Sequence, residues 1–254
     1  MGDFRKNYLT RPIFRWAKGA MPSLSQTERE ALNAGETWWD AQLFSGNPDW
    51  EMLRNVRAPA LTPDEQAFLD GPCQELCGMI DDWTINRLDG DLSPAVWDFM
   101  REHRFFGMII AREYGGLDFS AYAHSQVVRR ISMVSIPAAV TVMVPNSLGP
   151  GELLHLFGTD AQKNHWLPRL ADGRELPAFG LTSDHAGSDA ASMRDTGVVC
   201  RGTWQGEEVI GIRLNWAKRY ITLAPVATLL GLAFKLEDPD GLIGDEPDLG
   251  ITCA

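Results

Sequence analysis

The chain has 254 residues, 44% hydrophobic and 22% charged, the composition of a globular protein with enough apolar side chains for one large domain or two ordinary ones. Its formal net charge of −11 argues against a nucleic-acid-binding surface as the main role. Its four cysteines, Cys73, Cys77, Cys200 and Cys253, do not make a disulfide framework, and no second Cys/His pair at metal spacing accompanies them, so reduced thiols in a reducing compartment are expected.

No run of about eighteen apolar residues predicts a membrane-spanning helix. The opening Met1–Ala20 lacks the apolar core of a secretory signal. That opening mixes Arg5, Lys6, Arg11, Arg15 and Lys18 with Phe4, Tyr8, Ile13, Phe14 and Trp16. A basic, aromatic segment suits an anionic membrane surface, and suits a solvated arm equally well. Peripheral membrane contact through residues 1–24 is therefore one expectation.

Residues 1–61 read as an N-terminal extension. Ser25 and Glu28 have capping-box spacing. Glu28–Phe44 then carries Leu32, Trp38, Trp39 and Leu43 on one side of an expected helix, which Gly46-Asn47-Pro48-Asp49 ends. Thr62-Pro63-Asp64-Glu65 opens an all-α region over residues 62–176 with a cap, a proline at the first helical position and acids in the first turn. Helical periodicity follows through Phe68, Leu69, Cys73, Leu76, Cys77 and Ile80, and Ser93-Pro94 opens the next helix, with Val96, Trp97, Phe99 and Met100 on its apolar side. The apolar run Phe105–Ile110 breaks at Tyr114-Gly115-Gly116. Further helices are expected over 120–135, 137–144, 152–157 and 160–170, with Asn146–Gly151 as a loop.

From Pro177 the texture changes to short, glycine-punctuated strands, expected over 179–182, 196–200, 209–214, 220–223 and 228–235. Helices followed by strands predict an α+β chain with a β domain over residues 177–254. Glu237–Asp248 holds six acids and no base, which fits a solvent-facing loop. Leu249–Ala254 reads as the beginning of another strand, so the β domain is expected to be incomplete.

Phe179–Asp189 is the stretch with the most chemistry in it. It runs from an apolar strand end into Ala186-Gly187-Ser188-Asp189, where a glycine with φ > 0 would let backbone N–H groups converge on an anion. Thr182 and Ser188 add hydroxyls beside that concavity. Tyr220 and Thr222, two apart, would share one face of a strand and reach one ligand.

Tyr114-Gly115-Gly116, Phe157–Lys163 leading into Leu167–Glu175, Phe179–Asp189 and Lys218–Thr222 occur in one order. This series resembles the acyl-CoA dehydrogenase family over residues 62–254. Thr37-Trp38-Trp39, Gly46–Trp50, Glu65–Pro72, Val144–Leu153 and Asn215–Pro225 are similar to the long bacterial branch of that family, which degrades fatty acids.

The resemblance implies an N-terminal helical domain, an antiparallel β-barrel-like middle domain and a C-terminal helical domain that binds FAD together with the middle one. It also implies oxidation of a fatty acyl-CoA to a trans-2-enoyl-CoA, an electron-transferring flavoprotein as acceptor, a homo-oligomer at full length, and a bacterial cytoplasm, at the inner face of the cytoplasmic membrane. Carried over residue by residue, Phe179, Leu181, Thr182, Gly187 and Ser188 match the first flavin-contacting segment, with Ser188 also reaching the CoA side. Tyr220, Ile221 and Thr222 match the second segment, Tyr220 packing on the flavin and Thr222 meeting N5.

The chain departs from the family pattern at Ser183-Asp184, where Glu-Pro is common, at Trp216, where glycine is, and at Leu223 in place of Asn or Ser. The family's glutamate base is expected beyond Ala254, so no catalytic residue is assigned and the chain alone is expected to be inactive. The alternatives are an acyl-CoA oxidase or related flavoenzyme, and a non-catalytic acyl-CoA-binding or interaction protein ending at Ala254.

Overall fold

The computed structural model describes residues 2–20, 38–147 and 149–254, so the Ser25–Glu28 cap and the start of the helix expected from Glu28 lie outside the described residues. The chain forms two compact units, Met1–Ala58 and Pro59–Ala254.

In the first unit, Gly2–Ala20 is helical, with a π-helical turn at Lys6–Thr10 between α-helices Gly2–Arg5 and Arg11–Ala20. None of the Arg11–Ala20 side chains is buried. Later in this unit, the helix expected to run through Phe44 is, in its described part, a 3-10 helix over Trp39–Ser45 preceded by extended Trp38. The buried Trp39 explains the tighter turn: its indole N–H donates to the Asp49 carbonyl at 2.5 Å and its ring meets Trp50 at 4.9 Å.

The second unit begins with helices α1 (Pro63–Asp70), α2 (Pro72–Met79), α3 (Pro94–Glu102), α4 (Ala121–Ser132), α5 (Ile136–Met143), α6 (Pro150–Phe157) and α7 (Asp160–Ala171). Their starts follow local chemistry: Thr62, Ser93, Ser120, Ser135 and Thr159 each cap a helix by accepting from a first-turn N–H. At α1 the cap is reciprocal, because Glu65 accepts from the Thr62 N–H at 2.7 Å. Glu65 is 4% exposed and also takes the Ser120 N–H at 2.7 Å, which ties α1 to the start of α4. Burial pushes its carboxyl up, but the hydrogen bonds from Thr62 and Ser120 outweigh this and hold it below the usual range.

The helical core gathers Phe68 and Leu69 of α1, Cys73 and Leu76 of α2, Val96 and Met100 of α3, Val127 and Ile131 of α4, and Val142 of α5 around Phe105, Phe106 and Met108. Burial pushes the Cys73 thiol up to about 12, so it packs as an apolar group, its Sγ 4.0 Å from the Val127 carbonyl. Gly116 is fixed by contact, since a Cβ there would lie 2.0 Å from the Ile110 carbonyl oxygen.

The sheet comprises β1 (Pro177–Gly180), β2 (Thr196–Trp204), β3 (Glu207–Asn215), β4 (Leu229–Glu237) and β5 (Asp248–Cys253). It is mixed, not purely antiparallel. The first half of β4 pairs parallel with β1 and its last residues parallel with β2, while β2–β3 and β4–β5 are antiparallel. β1 is mostly buried and β4 is buried on both faces along its middle: Leu232, Phe234 and Leu236 pack with Val199 on one face, and Ala233 with Ala186 and Met193 on the other. Gly197 clears Phe234, whose ring would lie 2.5 Å from a Cβ at that position. The strand expected over 220–223 does not form. Tyr220 (φ 59°) and Leu223 (φ 62°) are left-handed, and a turn runs through this segment.

Candidate functional site

A cleft of about 250 Å³ opens where the α5–α6 connection meets the end of β1 and the segment before β4. Val144, Ser147, Gly149 and Pro150 line one side, and Phe179, Thr182, Tyr220 and Thr222 the other. Each side is set by packing. On the helical side, Asn146 is buried at 2% exposure, its side-chain amide donating to the Phe105 and Val142 carbonyls at 2.6 and 2.8 Å. Its Oδ1 accepts the Ile109 N–H at 3.3 Å, so the connection before α6 is anchored to the helical core. Pro150 can close on β4 only because Gly231 lacks a side chain; a Cβ there would lie 2.8 Å from the Pro150 ring.

On the sheet side, two chain segments 35 residues apart are held together. The Arg219 N–H donates to the Thr182 carbonyl at 3.0 Å, and Ser183 bridges both Ala186 and Lys218. Beneath them the Lys218 ammonium donates to the Leu181 carbonyl at 3.0 Å and to Asp195 at 2.7 Å, with side chains only 1% and 3% exposed. The other Asp195 oxygen accepts the Ala217 N–H at 2.9 Å. Burial raises the Asp195 carboxyl, but Lys218 and Ala217 outweigh it and keep it below the usual range. A second, exposed strap joins Arg219 to Asp184, and the Arg219 guanidinium lies 4.4 Å from the Tyr220 ring centroid.

Of the residues singled out from sequence, Phe179, Thr182, Tyr220 and Thr222 meet at this cleft. Tyr220 and Thr222 do so across a turn, not along a strand: the left-handed Tyr220 redirects the chain. Leu181 packs instead with Phe179 against Ala186, Met193 and Ala233, and Ile221 is half-buried outside the lining. Gly187 and Ser188 are exposed and do not line it. Gly187 does not adopt the expected φ > 0, and a Cβ there would meet nothing within 4 Å. What it leaves is open approach to the backbone. His185 is exposed beside Arg194 and away from the cleft lining. Sequence reasoning missed Asn146, Asp195 and the roles of Val144, Ser147, Gly149 and Pro150. The Val144–Leu153 stretch carried a signal, but only its resemblance had been read.

The lining suits a flat aromatic ring with a polar edge: aromatic faces from Phe179 and Tyr220, hydroxyls from Thr182, Thr222 and Ser147, and no carboxylate.

The fold of helices leading into a mixed sheet is similar to that of butyryl-CoA dehydrogenase from Megasphaera elsdenii, with a TM-score of 0.61 and 23% identity over 78% of this chain and 49% of that chain. The FAD complex of PigA has the same fold, with a TM-score of 0.61 and 22% identity over 78% of this chain and 48% of that one. Residues 73–174 match the acyl-CoA dehydrogenase N-terminal domain. The chain is 33% identical over 141 residues to an acyl-CoA dehydrogenase of Bacillus subtilis, covering 56% of this chain and 35% of that protein. It is 30% identical over 182 residues to the mitochondrial very long-chain specific acyl-CoA dehydrogenase of Bos taurus, covering 70% of this chain and 28% of that protein. The chain therefore carries an acyl-CoA dehydrogenase N-terminal domain over residues 73–174, and it spans about a third or less of the length of these two relatives.

Proposed function

We propose that the protein contributes the flavin cleft of an FAD-dependent dehydrogenase that converts a fatty acyl-CoA to its trans-2-enoyl-CoA, with an electron-transferring flavoprotein as acceptor. The observation that carries this reading is the meeting of Phe179, Thr182, Tyr220 and Thr222 with the 144–150 connection around one cleft. FAD, when bound, supplies the acceptor for the substrate's β hydride. Thr182 and Thr222 present hydroxyls able to hydrogen-bond a ring edge on which negative charge develops, and Phe179 and Tyr220 pack on its faces. Ser188 and the Gly187 backbone remain open to a phosphate or to the CoA side. No carboxylate lines the cleft among the described residues, so this part binds and orients, and removal of the α proton falls to a group outside it.

The test is titration of FAD into the purified protein, followed by flavin fluorescence, and then addition of a long-chain acyl-CoA. Saturable FAD binding that Thr182→Val and Thr222→Val weaken, with no enoyl-CoA formed by this chain alone, is the expected result. Absence of saturable binding would refute the reading.

We also infer peripheral membrane attachment through Gly2–Ala20, at the inner face of the bacterial cytoplasmic membrane. On the Arg11–Ala20 helix, Ile13, Trp16 and Ala17 fall on one side, and Arg11, Arg15 and Lys18 on the opposite side. Phe4, Tyr8, Ile13, Phe14 and Trp16 are all exposed. Sedimentation with vesicles rich in phosphatidylglycerol should carry the protein down, and removal of residues 1–20 should abolish this; equal partitioning of the two forms disposes of the idea.

A further inference from the structure

The strongest unassigned feature is the buried Lys218–Asp195 pair. An ion pair with side chains 1% and 3% exposed is costly to desolvate, and an apolar pair of similar volume is often as stable or more so. Its geometry shows what the charges do that an apolar pair could not. The ammonium reaches past Asp195 to the Leu181 carbonyl, one residue before Thr182. Asp195 reaches back to the Ala217 N–H, three residues before Tyr220. The pair therefore grips both segments that carry the sheet-side lining of the cleft, at the points where each leaves its strand. The neighbouring Arg219 N–H to Thr182 carbonyl bond then sets Thr182 opposite the left-handed Tyr220.

We propose that Lys218 and Asp195 are positioning residues that clamp the Phe179–Thr182 and Tyr220–Thr222 segments into ring-binding register, a role that rests on the flavin reading above. The clamp touches no lining side chain, so it acts through backbone position alone. Removing one charge strands the other in the interior. Removing both restores packing but leaves the Leu181 carbonyl without its charged donor and the two segments free to drift apart.

The experiment compares Lys218→Met, Asp195→Leu, the double variant of both, and Asp184→Ala, which cuts only the exposed strap. Each is followed by thermal unfolding, by amide hydrogen exchange of peptides covering 179–186 and 216–223, and by FAD titration of the purified protein. The single variants should unfold at lower temperature. The double variant should unfold at a higher temperature than either single variant, yet exchange faster in both peptides than wild type and bind FAD at least tenfold more weakly. Asp184→Ala should stay within twofold in FAD affinity. A double variant that is stable, keeps its exchange protection and binds FAD within twofold of wild type overturns the positioning role alone. Failure of the wild type itself to bind FAD overturns the flavin reading and the positioning role with it.

Discussion

Within the Pro59–Ala254 unit, the helical region and the sheet are stabilised in different ways. Most of the helices close around a cluster in which Phe105, Phe106, Met100, Leu76 and Ile131 are fully enclosed, and α7 packs Leu167, Leu170 and Ala171 with Ile110 in a second, smaller one. The sheet buries β1 and the middle of β4, while β3 leaves Val209, Ile210, Ile212 and Leu214 exposed and β5 leaves Leu249 and Ile251 exposed. What the sheet lacks in apolar burial it makes up with buried polar ties: Lys218 to Asp195, Leu176 N–H to Thr228 at 2.8 Å, and Asp238, 2% exposed, accepting from Leu242 and Ile243. Dispersion and desolvation tolerate small displacements, whereas hydrogen bonds fix atoms to within tenths of an ångström. The half of the unit that supplies most of the ring-facing side chains is the half held by geometry, and the half that supplies mass is held by packing.

The widest separation between the two regions should come from Phe105→Ala. Phe105 is fully buried, its ring 4.8 Å from Phe68 and 6.3 Å from Phe99, and truncation leaves a cavity that a dense core cannot collapse onto. A loss of about 3–5 kcal/mol is expected, measured by urea unfolding followed by far-UV circular dichroism. A loss below about 1 kcal/mol would mean that the helical core is loosely packed and that the contrast is wrong.

Asn146→Leu asks whether the helical side of the cleft is held by geometry too. The substitution keeps approximate volume but leaves the Phe105 carbonyl and the Ile109 N–H without their partner. About 2–4 kcal/mol should be lost, on the scale of one to two unsatisfied buried groups. FAD affinity should fall further than in a variant of equal stability altered in α1 or α2. If the two fall together, Asn146 is a core residue and nothing more.

The pH response sharpens the comparison next. Glu65 in the helical region and Asp195 in the sheet region both have carboxyls held below their unfolded values. A depressed folded value contributes stability that is fully present above the unfolded value, about 4, and is lost as pH falls through the folded one. Both regions should therefore weaken between about pH 5 and pH 2. Glu65→Gln should flatten the acid limb of the helical transition, read by circular dichroism, and leave hydrogen exchange at 216–223 unchanged.

How much of this was legible in the sequence follows the same division. Helix starts were readable because caps are local: Thr62-Pro63 and Ser93-Pro94 open α1 and α3 where expected. The spacing of Thr62 and Glu65 also held the reciprocal cap, which went unread, but the Glu65 bond to Ser120 joins residues 55 apart and no local rule contains it. Four of the five expected strands formed, and so did the one expected to begin at Leu249. The stretch at 220–223 failed because aromatic and β-branched composition reports a pleated surface, not the left-handed backbone found at Tyr220 and Leu223. The parallel pairings were equally hidden: β4 shares one long strand between β1 and β2, which only the folded arrangement decides. The cleft-lining residues were identified in part, and for Gly187 the physical reason was wrong.

The smallest effect is expected at Ile212, and it is the one that tests the sheet side directly. Ile212 pairs with Val199 across β2–β3 but is 42% exposed, so Ile212→Thr removes little buried area and keeps a β-branched side chain suited to a strand. Unfolding free energy should shift by no more than about 0.5 kcal/mol, as for surface substitutions away from special features. Solubility should rise, because the change interrupts the exposed row Ile210, Ile212 and Leu214 on an edge strand. A loss above about 1.5 kcal/mol would show that the Ile210, Ile212 and Leu214 row of β3 is covered in solution, and the contrast between a packed helical region and a bare sheet would have to be redrawn around that contact.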